Sequence, residues 1–292
     1  RWRPTVWLSA SARTSFFAGP ADAAGTPMTA ALREREFEAG LVFPVRHVKV
    51  SHRTVSALVR GVDELALPAG VVSSNRTAWR GGWSINSSHR YGYSISPEDG
   101  GTFGVTADVS RAAFGSSADT TAITADGRLY LSPFVRHQVL AVRLAGGAST
   151  GAPTARKTFH LGGAQPNAET IDFGRQAISL LRGFGVDTFA GSHVALMNVD
   201  YRWPVARPQR GYGTWPLFLH TAHAALFTDV GHAWTREFRA RDVKASFGGE
   251  ISLDVVAGYS FPFTLTAGAA WGRDGRTAAK GGVAYVRIGR AF

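Results

Sequence analysis

Two histidines, His220 and His223, stand three residues apart and are the first candidates for metal-binding chemistry. Because side chains alternate between the two faces of a strand, this spacing disfavours joint binding of a metal ion if the segment is a strand. Asp200 and Arg202 are two residues apart, so we expect them to share a face and to form an ion pair. Three acidic residues also share one face, which we interpret as a solvated polar wall: Glu34, Glu36 and Glu38.

Catalytic chemistry has no further support in the sequence. No Ser/His/Asp arrangement, no pair of carboxylates and no phosphate-binding glycine loop stands above chance. The chain contains no cysteine, which excludes a disulfide framework and a cysteine-ligated zinc site. The sequence therefore predicts no enzymatic activity, no catalytic residues, no metal ion and no cofactor, and the function must be sought in the elements that carry these residues.

Those elements show the period-two alternation of strands with one apolar and one polar face. Between Lys244 and Ala257, for example, Phe247, Ile251 and their neighbours in register alternate with polar residues such as Glu250. The contrast spans about fourteen residues, which exceeds an ordinary soluble strand and is long enough to cross a bilayer at a tilt.

The same alternation predicts about twelve strands along the chain. A soluble β-sandwich also alternates, but the strand lengths and the aromatic residues at the strand ends, such as Trp79, Tyr201 and Trp271, favour an antiparallel transmembrane β-barrel. We place the strands near residues 2–11, 32–44, 47–61, 75–95, 101–113, 119–134, 137–147, 192–204, 216–235, 244–259, 261–272 and 281–292, and discount a doubtful segment at 174–183.

Composition agrees with a barrel and disfavours two other classes. The chain has no run of about 18 to 20 apolar residues, so a helical membrane protein is disfavoured. The formal net charge of +11 comes almost wholly from arginines that are scattered singly, which argues against nucleic acid as a partner. Charged barrel walls and loops beside outer-membrane lipid and anionic lipopolysaccharide fit this distribution better.

Short and long connections are both predicted. The turns at 42–49 and 258–262 are short, whereas 12–31, 62–74, 148–191 and 205–215 are predicted to be long. In barrels the long loops face outside the cell, and the stretch 148–191 is the strongest candidate for a functional loop. Arg1 is not an initiator residue, so we expect the chain to be a fragment of a longer precursor.

The order of several motifs makes the prediction specific. Leu181-Arg182-Gly183-Phe184 follows the glycine pair Gly162-Gly163 and precedes Asn198-Val199-Asp200-Tyr201-Arg202-Trp203-Pro204, Phe227-Thr228-Asp229-Val230-Gly231 and Ile288-Gly289-Arg290-Ala291-Phe292. This succession resembles the bacterial surface antigen barrel of the outer-membrane protein 85 superfamily, although Leu181 stands where the family usually has Val.

The resemblance implies a sixteen-strand barrel with the Arg-Gly-Phe loop between its eleventh and twelfth strands. Five predicted strands follow the loop here and about seven precede it, so roughly four N-terminal strands are expected to be missing. We therefore interpret 1–292 as an N-terminally truncated outer-membrane β-barrel domain whose long loop, 148–191, enters the lumen.

In the family the arginine at the tip of this loop pairs with acidic groups on the inner wall. Alternation places Phe227, Asp229 and Gly231 on the inner face of one strand and Glu250 on that of the next, so Arg182 is expected to meet Asp229 and Glu250. Gly183 would let the loop backbone approach the wall, and Phe184 would pack against a glycine such as Gly231.

The C-terminal residues Ile288, Gly289 and Phe292 resemble the signal that the barrel-assembly machinery recognises, which implies a bacterial outer-membrane location. By resemblance, the expected function is the insertion or translocation of a polypeptide client at the outer membrane. The alternative is a passive pore or a membrane anchor for an upstream soluble domain.

Overall fold

The structure is a computed structural model. It describes residues 3–21, 27–46, 49–67, 70–132, 135–153, 155–164, 180–211, 213–258, 260–276 and 280–288. No helix in this part of the chain is long and apolar enough to cross a membrane.

Nearly all regular structure is antiparallel β. The strands are β1 (Thr5–Ala21), β2 (Pro27–Arg46), β3 (Ser51–Leu67), β4 (Gly70–Asn86), β5 (Gly101–Ser110), β6 (Thr120–Leu131), β7 (Val139–Gly151), β8 (Phe159–Leu161), β9 (Phe189–Gly191), β10 (His193–Ala206), β11 (Arg210–Gly211), β12 (Leu217–Trp234), β13 (Lys244–Ala257), β14 (Phe261–Asp274) and β15 (Lys280–Ile288). Two short 3₁₀ turns, Ala112–Phe114 and Ala240–Asp242, lie in connections.

One large sheet contains twelve long strands in the order β1-β2-β3-β4-β5-β6-β7-β10-β12-β13-β14-β15, with β11 attached to β12. The predicted count of about twelve strands, seven before the long loop and five after it, is confirmed. The sheet is a meander in which each long strand pairs with the next long strand along the chain. In the described part of the chain no ladder joins β1 to β15, so these two strands form the edges of an open sheet.

Two predicted long connections and one predicted strand end are wrong. The stretches 12–31 and 62–74 belong largely to strands, because β1 pairs with β2 as far as Ala21 and β3 pairs with β4 as far as Leu67. Conversely, the predicted strand 75–95 ends at Asn86, and 87–100 is a connection closed by a bridge between His89 and Asp99. Strand ends that extend past an apolar layer lose the apolar half of the alternation, so the pattern does not mark their limits.

The two faces of the sheet are inverted relative to a soluble protein. On β13, Phe247 and Ile251 are 64% and 67% exposed, whereas Ser246 and Glu250, on the opposite face, are buried. A continuous exposed apolar face is unfavourable in water but favourable against lipid, while the polar face of a barrel strand points to the interior. We call the face that carries Ser246 and Glu250 the inner face.

The inner face carries a first charge cluster near its N-terminal edge. Arg80, on β4, is 1% exposed; its Nε lies 2.6 Å from Asp108 Oδ1, and its Nη1 lies 3.1 Å from Glu36 and 2.6 Å from Glu38. Glu36 and Glu38 were predicted to form a solvated wall, which is wrong, because neighbouring strands bring an arginine between them.

Candidate functional site

The long loop between β7 and β10 (152–192) returns to the inner face of the sheet. Its two short strands, β8 and β9, pair with each other from Phe159 opposite Gly191 to Leu161 opposite Phe189. Phe159 and Leu161 pack with Leu180 and Leu181 against wall residues of β7, β10 and β12, namely Ala145, Val194, Leu196 and Ala233. This apolar contact holds the loop on a face that is otherwise polar, and fully burying each large side chain contributes about 1.5–3 kcal/mol.

The loop tip, residues 180–184, is anchored through the glycine pair noted in the sequence. Gly163 N donates a hydrogen bond to Leu181 O at 3.2 Å. Both Gly162 and Gly163 have positive φ, which lets the chain turn beside the tip. The predicted loop segment and its glycine pair therefore meet in space. The part of the loop at 165–179, which includes most of the discounted segment 174–183, lies outside the described residues.

Arg182 is fully buried, and each of its four nitrogen atoms donates a hydrogen bond. Its backbone N and its Nε reach Asp229 Oδ2 at 3.0 and 2.8 Å, and its Nη2 reaches Asp229 Oδ1 at 2.6 Å. Nη2 also lies 2.6 Å from Asp200 Oδ1, and Nη1 lies 3.2 Å from Glu250 Oε1. The planar fork of arginine is suited to such a set of oxygens, because its donors point in several directions at once.

Two neutral side chains complete the seat of Arg182. The guanidinium carbon lies 3.5 Å from the ring centre of Phe227, which adds a cation–π contact from below. Asn198 Nδ2 donates to Asp229 Oδ1 at 2.8 Å and to the carbonyl of Leu180 at 3.0 Å. Asn198 thus binds both the wall and the loop tip, and Asp229 accepts four hydrogen bonds in all.

Two further arginines balance the carboxylates. Arg202 Nη2 donates to Asp200 Oδ2 at 2.8 Å, and Arg287 Nη2 donates to Glu250 Oε2 at 2.6 Å. The resulting charge cluster has three cations and three anions, all of them buried: Arg182, Arg202, Arg287, Asp200, Asp229 and Glu250. Buried charges are tolerated only when they are paired and hydrogen-bonded, which explains why removal of any one member is expected to be costly.

Gly183 carries the tip close to the wall. Its φ is +90°, and a Cβ placed there would lie 2.9 Å from the backbone N of Gly272 and 3.0 Å from Ser246 Cβ. Both the conformation and the space therefore require glycine. Phe184 packs against Gly272, and its ring lies edge-on to Phe189 at 5.2 Å. The expected partner Gly231 is wrong, because Leu161 and Leu196 occupy the space above it.

Thus the structure brings together Leu181, Arg182, Asp229 and Glu250, with Phe227 beneath the guanidinium, and places Phe184 on a different glycine from the one expected. Asp200 and Arg202 pair as expected, but Asp200 also binds Arg182. Asn198, Arg287 and Tyr285 were missed by the sequence reasoning; Tyr285 Oη donates a hydrogen bond to Glu250 Oε1 at 2.6 Å. The alternation on β15 was the available signal, since it places Tyr285 and Arg287 on the face opposite Val286.

The remaining predicted residues lie apart from this site. Ile288 is 73% exposed on the outer face, and Gly289 and Phe292 lie outside the described residues. His223 is buried. His220 lies beside Thr221, and its Nδ1 is 2.8 Å from Thr221 Oγ1. Over the described ranges, no group of three or more histidine, cysteine or acidic residues could hold a metal ion. The chemistry available at the charge cluster is the binding of the loop tip through ion pairs and hydrogen bonds.

Comparison with solved structures identifies this architecture. BamA from Haemophilus ducreyi lacking POTRA domains 1-3 matches with a TM-score of 0.60 and 14% identity, over 90% of this chain and 55% of that one. CdiB from Acinetobacter baumannii matches with a TM-score of 0.61 and 14% identity, over 98% of this chain and 47% of that one.

The chain thus spans about half the length of the solved structures it matches. Neither a protein-family model nor a curated protein sequence matches it. Both solved structures are β-barrels, and this likeness in fold agrees with the family resemblance found in the sequence. This chain has the antiparallel β-barrel fold of these two solved structures, here as an open sheet of twelve long strands with an inward-directed loop.

Proposed function

We propose that this protein is an outer-membrane barrel that inserts or translocates polypeptides, and that the tip of its long loop acts as a latch on the inner wall. The observation that carries the proposal is the seat of Arg182. A loop that only connected two strands would not need a fully buried arginine held by three carboxylates from three strands.

The physical argument concerns reversibility. A charge-balanced cluster makes the seated loop stable, yet each carboxylate regains solvation when the loop leaves, so the two positions can be close in free energy. An apolar plug of the same size would have no such polar alternative. The proposed partners are outer-membrane lipid, lipopolysaccharide, the barrel-assembly machinery and a polypeptide client, and the proposed location is the bacterial outer membrane. The exposed apolar face and the fold shared with BamA and CdiB support these assignments.

The test is the substitution Arg182→Ala in the full-length protein. Transport or assembly activity is expected to fall, while the heat-modifiable migration of the barrel in electrophoresis stays close to wild type. Arg182→Lys keeps the charge but loses the planar fork, so its activity should lie between those of wild type and Arg182→Ala. Arg156→Ala is the matched control, because Arg156 lies in the same loop outside the charge cluster.

Normal activity in Arg182→Ala would contradict the latch and favour the passive pore or anchor. A second measurement addresses that alternative directly. β7 continues to Gly151, so the deletion should begin at residue 152. Removal of residues 152–191 should change the single-channel conductance in a planar bilayer if the loop occupies the lumen, and an unchanged conductance would argue against a gating loop.

A further inference from the structure

Glu250 is bound from two sides by two different elements. From the long loop, Arg182 Nη1 reaches Glu250 Oε1 at 3.2 Å. From the terminal described strand, β15, Tyr285 Oη donates to the same oxygen at 2.6 Å and Arg287 Nη2 donates to Glu250 Oε2 at 2.6 Å. One carboxylate on β13 thus joins the loop tip to a strand that is not its neighbour in the sheet.

Strand register explains how the two strands meet across β14. Glu250 lies opposite Gly268, and Gly268 lies opposite Tyr285, so the three residues form one row across β13, β14 and β15. A Cβ at Gly268 would lie 2.7 Å from Tyr285 Cζ and 2.9 Å from Glu250 Cγ. The missing side chain on the middle strand is what allows the outer two side chains to touch.

Arg287 holds the loop by a second route. Its side chain is almost entirely buried, and Nη1 donates a hydrogen bond to the carbonyl of Ala164 at 2.8 Å. Ala164 follows the Gly162–Gly163 pair, where Gly163 N binds Leu181 O beside the tip. One guanidinium of β15 therefore binds both the wall carboxylate that receives Arg182 and the loop backbone that supports the tip.

The position of β15 in the sheet gives this contact a consequence. β15 pairs with β14 from Leu265 opposite Ile288 to Arg273 opposite Lys280. Because Tyr285 and Arg287 lie within this paired segment, a shift of β15 relative to β14 would move both donors away from Glu250.

We propose that Tyr285 and Arg287 are positioning residues that couple strand β15 to the loop tip, so that displacement of β15 releases the loop and release of the loop loosens β15. The coupling rests on the proposed function only for its biological purpose, since it is a statement about two elements of the fold. It is reciprocal by necessity, because a coupling free energy between two sites acts equally in both directions.

Amide hydrogen exchange of the full chain, reconstituted in lipid, tests the coupling without a client. In Arg287→Met, exchange of the segment 180–188 is expected to accelerate by about ten- to a hundredfold, the range for a lost hydrogen bond to a charged group. Tyr285→Phe removes only one donor to Glu250 and should give a smaller acceleration of the same segment. Exchange in β3, residues 51–67, which lies four strands away from β7 in the sheet, is the internal reference and should not change.

Arg273→Met is the matched control, because Arg273 lies on the adjacent strand β14 and its side chain is exposed. It should leave the loop tip as in wild type. In the reciprocal experiment, Arg182→Met should accelerate exchange of 280–288, which a purely local role of Arg182 would not do.

Loop-tip exchange that matches wild type in both Arg287→Met and Tyr285→Phe would overturn the proposal. If Arg287→Met does not form a barrel, Tyr285→Phe alone carries the test, because it alters one oxygen atom and no charge. Failure of the proposed function has a different signature: Arg182→Ala would transport or assemble normally, while exchange in 180–188 and 280–288 would still change together.

Discussion

Asp229→Asn is the substitution from which the energy of the loop seat can best be worked out. Each oxygen of Asp229 accepts two hydrogen bonds, Oδ2 from Arg182 N and Nε and Oδ1 from Arg182 Nη2 and Asn198 Nδ2. Asparagine has nearly the same shape, but whichever way its amide is turned, an NH₂ group faces two donors. The substitution therefore removes two hydrogen bonds to a charged group and leaves Arg182 with one buried anion fewer.

The expected loss of loop-binding free energy is about 3–5 kcal/mol, the range for breaking one member of a buried ion pair, and two hydrogen bonds to a charged group give a similar sum. Since about 1.4 kcal/mol is a factor of ten, the open fraction of the loop should rise on the order of a hundred- to a thousandfold.

A single cysteine can measure that fraction, because the chain contains none of its own. Ala233, on the wall of β12, is buried in the apolar cluster beneath the loop, so Ala233→Cys should react with a maleimide only when the loop leaves. In this background Asp229→Asn should raise the alkylation rate by at least a hundredfold.

Asp254→Asn is the control, because Asp254 lies on β13 and accepts a hydrogen bond from Thr264 at 2.6 Å, away from the tip. It should change the rate by less than about threefold, as for a site without contact with the loop. An alkylation rate for Asp229→Asn within that same range would refute the view that the charge cluster holds the loop.

Three further outcomes are expected. Gly183→Ala should weaken loop seating by about 1–3 kcal/mol, since φ is +90° and the added Cβ would lie 2.9 Å from Gly272 N; protease nicking of the loop in folded protein measures this. Arg80→Met should lower the temperature at which the barrel loses heat-modifiable migration, because it leaves Glu36, Glu38 and Asp108 together, while alkylation at position 233 should not change. Ile251→Lys should destabilise the folded state in a bilayer by about 2–4 kcal/mol, measured by urea titration, whereas a water-exposed face would tolerate it.

The long strands show which features of the sheet a local sequence pattern can predict. Alternation identified the number and order of the long strands and the inner position of Asp229 and Glu250, because side-chain direction along a strand is a local property. It failed at the ends of β1, β2, β3 and β4, where pairing continues through polar segments that carry no apolar period. Those limits are set by hydrogen bonding to a neighbouring strand, which no local pattern contains.

The charge cluster shows the same division. The sequence supplied Arg182 and a set of inward carboxylates, and the resemblance suggested that they meet. Neither the sequence nor the resemblance showed that one guanidinium binds Asp200, Asp229 and Glu250 together, which lie 18, 47 and 68 residues away along the chain. Nor did either of them show that Phe184 lies over Gly272 instead of Gly231, since the choice depends on how far the loop extends along the inner face.

By itself, then, the sequence determined the class of fold, the faces of its strands and the residues able to bind the loop, since each follows from residue type and spacing over a few positions. Only the tertiary structure decided which partners meet, that Gly268 lets Tyr285 reach Glu250 across β14, and that Arg287 binds both wall and loop. The physical reason is that these contacts arise from strand register and loop path, which are properties of the assembled sheet.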